Sequence, residues 1–401
     1  MLKDNSKIDK YSIFIVIAFF FIMIMFYGRG VDFDAEAVER ETIIVRKESS
    51  KSFFLVISTI LLFLLNKKVV DFKIIANYRL WGVYFLCLFI LAFLRGNLTA
   101  DLYSFGSIVV SYLMLMGLMR FVYRIKYSVL EDVFILISVV ILILCVIFHI
   151  LQGHKIVFFP DRGTSLYERL GGLLYISHAA AVAAITLLFS LIKFMRCRKV
   201  KYLIIITFCI IFLLATDTRS AWIATVFSII FIFFKRINFY KLLLFSISLF
   251  FLTTSILSFI SDKAASSGTE DSEYRSIIWL FSLELVNQRL LTGYGSAEVT
   301  GFENFDLHDN LNDPHNSILS LLLQSGLISV IIYFVIYFKN CNIYIKNSNT
   351  DYRFLYFFFL FLPFFWGYFY NTISNFMSMY MMFTIYAFTL NPNIITKNKI
   401  K

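Results

Sequence analysis

Long apolar runs recur from residue 11 to residue 390 and are separated by short polar or charged segments. Most have the length of a helix that crosses the hydrocarbon core of a bilayer, about 20 residues. They predict about twelve spans, at 11–28, 52–66, 80–94, 102–122, 129–151, 171–192, 202–216, 218–234, 242–260, 314–338, 354–371 and 373–390. The second and third are short, and the seventh and eighth form a tight hairpin around Thr216, Asp217 and Thr218. The first run follows a Lys-bearing N-terminus but lacks a clear small-residue cleavage site, so it reads as a retained helix rather than a signal peptide. The expected fold class is an all-α polytopic membrane protein, with residues 1–401 forming a single integral membrane domain. One large polar loop, 261–313, joins the ninth and tenth spans.

Composition strengthens this reading: 59% of the 401 residues are hydrophobic, only 16% are charged, and the mean hydropathy is +0.78. The net charge of +11 points to topology rather than to nucleic acid. With the N-terminus in the cytoplasm, most of the 37 basic residues fall in inward segments and most of the 26 acidic ones in outward segments. Both termini are then cytoplasmic, and loops 29–51, 152–170 and 261–313 face outward. No nucleic-acid motif accompanies the charge. The five cysteines, Cys87, Cys145, Cys197, Cys209 and Cys341, have neither metal-binding spacing nor a disulfide framework. The 48 Phe and 23 Tyr are expected at lipid-facing and interfacial positions.

Three polar stretches on the outward side carry the candidate chemistry. At DPHNSILSLLLQSGLIS, Asp313 suits an N-cap and Pro314 the first helical position. His315 and Asn316 follow in the first turn, where the helix dipole disfavours an imidazolium and free N–H groups face an anion. A neutral His315 there is a candidate proton acceptor; an interfacial histidine beside an ordinary cap is the structural alternative. In the loop, EDSEYRSIIWLFSLELVNQRLL predicts a helix with Ile278, Trp279, Phe281 and Leu285 on an apolar side, lying on or near the membrane face. Gly293 is its expected C-cap. Arg275 sits in the first turn, electrostatically misplaced unless an anion answers it; Asp271 and Glu273 are the structural partners on offer.

Arg219 opens the eighth span in TDTRSAWIA. An arginine facing the bilayer core costs roughly 2.5–3.5 kcal/mol and therefore favours a protein cavity, neutralisation by Asp217, or snorkelling to the interface. Arg162, Arg169, His154 and His178 flank the outward loop before the sixth span, and Gly171 and Gly172 are expected to let that helix pack closely beside Arg169. His308, Asp309, Asp313 and His315 match no familiar zinc spacing, so no metal is expected. Two arginines and a histidine suit a doubly charged phosphate leaving group and a hydroxyl nucleophile. Acyl transfer lacks a Ser or Cys beside a base, and ion conduction lacks charge within the spans. A lipid or polysaccharide transporter would call for pairs of broken helices or internal repeats.

The order TDTRSAWIA, then YRSIIWLFSLELVNQRLLTGYG, then PHNSILSLLLQSGLIS resembles the O-antigen ligase family, which includes related O-antigen and exopolysaccharide polymerases. The resemblance covers about residues 169–338. It implies a C-type glycosyltransferase of the bacterial inner membrane, with a glycan on undecaprenyl pyrophosphate as donor and no cofactor. The acceptor is a sugar hydroxyl of lipid A-core for a ligase or another lipid-linked glycan for a polymerase, and both outcomes stay open here. It further implies that His315 is the general base and that Arg219 and Arg275 bind the pyrophosphate. Arg169 and Asn316 join Arg219 and Arg275 as candidate substrate-binding residues. The segment after Gly293 up to Asp313 follows no pattern of the family, and Gln324 and Ser325 precede Gly326 where relatives often carry an acidic residue.

Overall fold

The computed structural model describes residues 10–27, 57, 59–62, 64–65, 78–95, 98–157, 170–174, 176–216, 218–233, 271–295, 317–346, 380 and 383–389. Among them every regular element is helical: α1 (Lys10–Tyr27), α2 (Tyr78–Arg95), α3 (Leu98–Val122), α4 (Tyr127–Leu151), α5 (Ile176–Cys197), α6 (Val200–Thr216), α7 (Arg219–Phe233), α8 (Asp271–Gln288), α9 (Ser317–Lys346) and a short π-helical stretch, Ile385–Thr389. Four helical segments are long and apolar enough to cross a membrane: Tyr78–Arg95, Tyr127–Leu151, His178–Cys197 and Leu319–Ile336. Lys10–Phe21, Val109–Val122 and Val200–Thr216 are shorter apolar helices. The expected spans at 242–260 and 354–371 lie outside the described residues, and those at 52–66 and 373–390 are described only in part.

α5 is the centre of the bundle. Its run from Ala179 to Ala184 is inaccessible on every side. Small side chains let neighbouring backbones approach, which is how helices associate where lipid removes the hydrophobic drive. α4 and α6 pack on it, and α7 joins through its own small residues, Ala221, Ala224, Thr225 and Ser228. α4 is apolar all round in sequence, but only one stripe is covered. Leu130, Phe134, Ile137, Ile141, Leu142 and Cys145 are buried, whereas Leu136, Ile143, Ile147 and Ile150 are exposed to the surroundings of the bundle.

The aromatic side chains correct one expectation. Tyr11, Phe14 and Phe93 do face outward, but many rings pack inside. Phe134 stacks on Tyr380 with ring centroids 5.2 Å apart, and Phe20, Phe189, Phe383 and Phe388 complete the cluster. Buried ring hydroxyls and indoles need partners. The Trp81 indole donates to the Tyr386 hydroxyl at 2.8 Å, and Ser138 bonds the Tyr380 hydroxyl at 2.8 Å. The rings thus tie the π-helical stretch to α2 and α4.

Antiparallel pairings sort the helix termini into two ends. Glu131 of α4 accepts from Lys193 at 2.8 Å and Arg196 at 2.9 Å of α5, while Asp132 accepts from Tyr202 of α6 at 2.6 Å. Arg120, Arg124, Lys126, Arg198, Lys199 and Lys201 lie at this same basic end. At the opposite end lie the C-termini of α2, α4 and α6 and the N-termini of α3, α5 and α7. α9 runs antiparallel to α2, with Ser329 3.7 Å from Cys87 and the Tyr333 ring beside Tyr84. Its N-terminal part therefore also belongs to the opposite end.

Candidate functional site

At that opposite end the α6–α7 hairpin is closed by its own polar groups. The Leu213 carbonyl accepts from the Thr216 hydroxyl at 2.8 Å and from the Trp222 indole at 3.2 Å. Thr218 precedes the helix, and its carbonyl accepts the Trp222 N–H at 3.2 Å, the first-turn bond that makes Arg219 the opening residue of α7. The Leu170 N–H donates to the Ala215 carbonyl at 3.1 Å. The chain immediately after Arg169 is thereby held to the hairpin that presents Arg219. Arg169 and Arg162 themselves lie outside the described residues, as do the side-chain contacts of Arg219.

Gly171 and Gly172 do not extend a helix as expected; they form a turn ahead of α5, which begins at Ile176. Gly172 has a φ of 59°, and a Cβ on it would run into the Cys145 carbonyl of α4. The close approach that the glycine pair permits is thus between a turn and a helix backbone. His178 is buried at the start of α5, and the His154 ring lies 5.2 Å from that of His149, whose ring N–H donates to the Lys155 carbonyl at 3.3 Å.

The second corner is built by α8 and α9, and it departs from the expected unbroken span. α9 is broken at Gly326, with φ 71° and ψ 171°. A Ser–Gly pair is a common cause of such a kink, and the Ser325 hydroxyl donates back to the Leu321 carbonyl at 2.8 Å, a local bond that competes with the helix ladder. The break leaves carbonyls of the first half and N–H groups of the second without helical partners. The turn after α8 supplies them. Gly293, at φ 65°, ends α8 by donating to the Arg289 carbonyl at 2.9 Å, as a C-cap should. The Tyr294 and Gly295 N–H groups then donate to the Leu323 and Gln324 carbonyls at 2.6 and 3.0 Å, and the Leu327 N–H donates to the Leu290 carbonyl at 2.8 Å. Arg95, the last residue of α2, donates through Nη1 to the Thr292 carbonyl at 2.7 Å and the Gln324 carbonyl at 3.0 Å. The Tyr294 hydroxyl donates to the Leu285 carbonyl at 3.1 Å, and the Arg289 guanidinium lies 4.8 Å from the Tyr294 ring centroid.

The interlock joins the two helices. Val286 packs on Leu323, and the Leu327 N–H just beyond the break bonds the Leu290 carbonyl in the turn after α8. Phe281, Ser282, Leu285 and Val286 lie on the inward side of α8. Arg275 stands about two turns before Ser282 along the same helix. Trp279, Leu280 and Leu283 form a second apolar side that stays exposed, so the expected apolar face of α8 is divided between α9 and the surroundings. His315 and Asn316 immediately precede Ser317 and lie outside the described residues, as do His308, Asp309 and Asp313. Sequence reasoning missed Arg95, whose place at the end of an apolar run reads as an ordinary span boundary.

Residues 202–334 match the family model described as O-antigen ligase. No curated protein matches the chain. The matched region runs from α6 through the hairpin and α8 to the second half of α9; it contains the hairpin and the α8–α9 contact, with Leu170 and Arg95 outside it. The family covers ligases and polymerases, glycosyltransferase-like enzymes that act on glycans.

Proposed function

We propose, from the match of residues 202–334 to the family model described as O-antigen ligase, that the chain is an O-antigen ligase. In this reading it takes a glycan from undecaprenyl pyrophosphate and joins it to a sugar hydroxyl of lipid A-core, at the periplasmic face of the bacterial inner membrane. The basic end of the bundle faces the cytoplasm, in line with the inward bias of Lys and Arg. The expected twelve spans, the cytoplasmic termini and the periplasmic loop 261–313 belong to the same proposal. The exposed Trp279, Leu280 and Leu283 suit α8 to the lipid interface.

The observation that carries the reading is the contact of the turn after α8 with the break of α9. It joins the helix that carries Arg275 to the helix that begins at Ser317, two residues after His315 in the chain. Arg219 opens a third helix at the same end of the bundle. Helix N-termini with arginines form a cationic frame for a pyrophosphate.

Chemically, the acceptor oxygen attacks the anomeric carbon from the face opposite the donor, forming the new glycosidic bond with inversion. The bond to the pyrophosphate oxygen breaks, and the lipid pyrophosphate leaves with the electron pair. His315 takes the hydroxyl proton, while Arg219 and Arg275 stabilise the departing charge. Arg169, next to the bonded Leu170, and Asn316 contact the donor. None of these steps uses a metal or a nucleotide. The broken α9 does not favour a transporter, because its freed backbone groups bond to the protein's own turn and to Arg95 rather than opening a path.

The test is glycan transfer by the purified protein in lipid, with lipid-linked O-antigen and lipid A-core. His315→Ala is expected to lower transfer at least about 100-fold, within the range of general-base catalysis, while the protein remains in the membrane. Near-normal transfer by that variant contradicts the proposed role. Joining of lipid-linked glycans to each other with no transfer to lipid A-core identifies a polymerase instead.

A further inference from the structure

We infer that Arg95 is a positioning residue for the transfer reaction, locking the 292–295 turn into the break of α9. The inference rests on the functional reading above, and Arg95 needs no contact with substrate for it. Three separate segments meet at its guanidinium: the end of α2, the Thr292 carbonyl of the turn and the Gln324 carbonyl next to the break. One nitrogen bridges a carbonyl of the turn after α8 and a carbonyl of α9, so the bond pattern ties that turn to α9 and both to α2. A charged donor is the stronger kind of hydrogen-bond partner, and the Gln324 carbonyl is one that the broken helix leaves to be satisfied.

The rest of the interlock has the same construction. The bonds from Tyr294, Gly295 and Leu327 cross between the turn and the break in both directions. Gly293 and Gly326 each have positive φ, and a Cβ on Gly326 would press into the Leu291 carbonyl. Two glycine-permitted backbones thus meet face to face, and Arg95 closes the contact from the side of the membrane helix. Because α8 leads into this point and α9 is broken at it, its geometry sets the relation between the helix that carries Arg275 and the helix that begins two residues after His315. A small rotation at the lock is multiplied along α8, about 27 Å long at 1.5 Å per residue over its 18 residues. Misplacement of catalytic groups by about 1 Å costs on the order of 100-fold in rate.

The experiment compares the full-length wild type with Arg95→Met and Arg95→Lys in lipid nanodiscs, by amide hydrogen exchange and by transfer kinetics. Arg95→Met is expected to speed exchange roughly tenfold or more at Tyr294, Gly295 and Leu327 while leaving α5 protected. Transfer is expected to fall mainly in kcat, with KM for the lipid-linked donor little changed. Arg95→Lys retains the charge and a nitrogen able to donate to two carbonyls, but on a shorter stem, and is expected to fall between the two. Unchanged exchange in both variants overturns the lock. A rise in donor KM with kcat unchanged, or faster exchange with full transfer, overturns the positioning role. Loss of protection in α5 in both variants also overturns it, by making Arg95 a residue of the whole fold. A wild type that transfers no glycan sinks the functional reading alone, and the exchange comparison still decides the lock.

Discussion

A methyl group on Gly326 would meet the Leu291 carbonyl and carbonyl carbon, and the residue's φ of 71° is one that side chains rarely adopt. Gly293 faces the same contact from the turn after α8, with the Gly326 nitrogen 2.7 Å from the position of its Cβ. Gly82, by contrast, has open space around it on α2. Gly326→Ala is therefore expected to destabilise the protein by about 3 kcal/mol, from strain at a left-handed position together with displaced backbone. Gly82→Ala is expected to be neutral or slightly stabilising, since alanine is the better helix former. Thermal unfolding of the two variants in one detergent checks this; equal midpoints contradict the close contact at Gly326. The sequence marks Gly293 as a helix end by its place in Thr-Gly-Tyr-Gly. It gives no comparable mark to Gly326, because a Ser–Gly pair inside an apolar run also suits plain close packing of helices. The partner that decides between the two lies some thirty residues earlier in the chain, where no local pattern can point to it.

Helices were legible where each coincides with one apolar run. α1, α2, α3, α4, α6 and α7 begin and end within a few residues of the expected spans. The exceptions are ends set by contacts between elements. α5 starts after the turn that Gly172 presses onto Cys145, and α9 is interrupted where it receives the turn from α8. The ion-pair network at the basic end belongs to this scale as well. Glu131 is almost fully buried, and Lys193, equally enclosed, answers it at 2.8 Å while also reaching the Ser128 carbonyl at 3.2 Å. Removing one partner of a buried pair costs about 3–5 kcal/mol where nothing else answers the charge; with Arg196 still bonded to Glu131 at 2.9 Å, the loss here is reduced to about 1–3 kcal/mol. Lys193→Met is expected to lower stability by that order. Combining it with Glu131→Gln is expected to recover part of the loss, since the pair then disappears together. A double variant that is no more stable than Lys193→Met alone contradicts direct coupling between the two.

For the whole molecule, charge and connectivity point the same way. The basic residues of the α3–α4 and α5–α6 junctions gather at one end, while Arg95, the 216–218 hairpin and the α8–α9 interlock gather at the other. Of the site expected from sequence, the structure places the helix positions of Arg219 and Arg275, ties the residue after Arg169 to the Arg219 hairpin, and describes α9 from Ser317 onward. The order of the three motif strings was legible because each includes a helix start or a glycine turn. Their mutual packing was not, because it depends on backbone bonds between distant segments and on an arginine from a fourth. The proposed ligase activity is tested most directly by a silver-stained gel of lipopolysaccharide from cells that lack this gene, beside cells that carry it. The account predicts lipid A-core without O-antigen, together with accumulated lipid-linked polymer. Core bearing a single repeat unit, or an unchanged ladder, would contradict it.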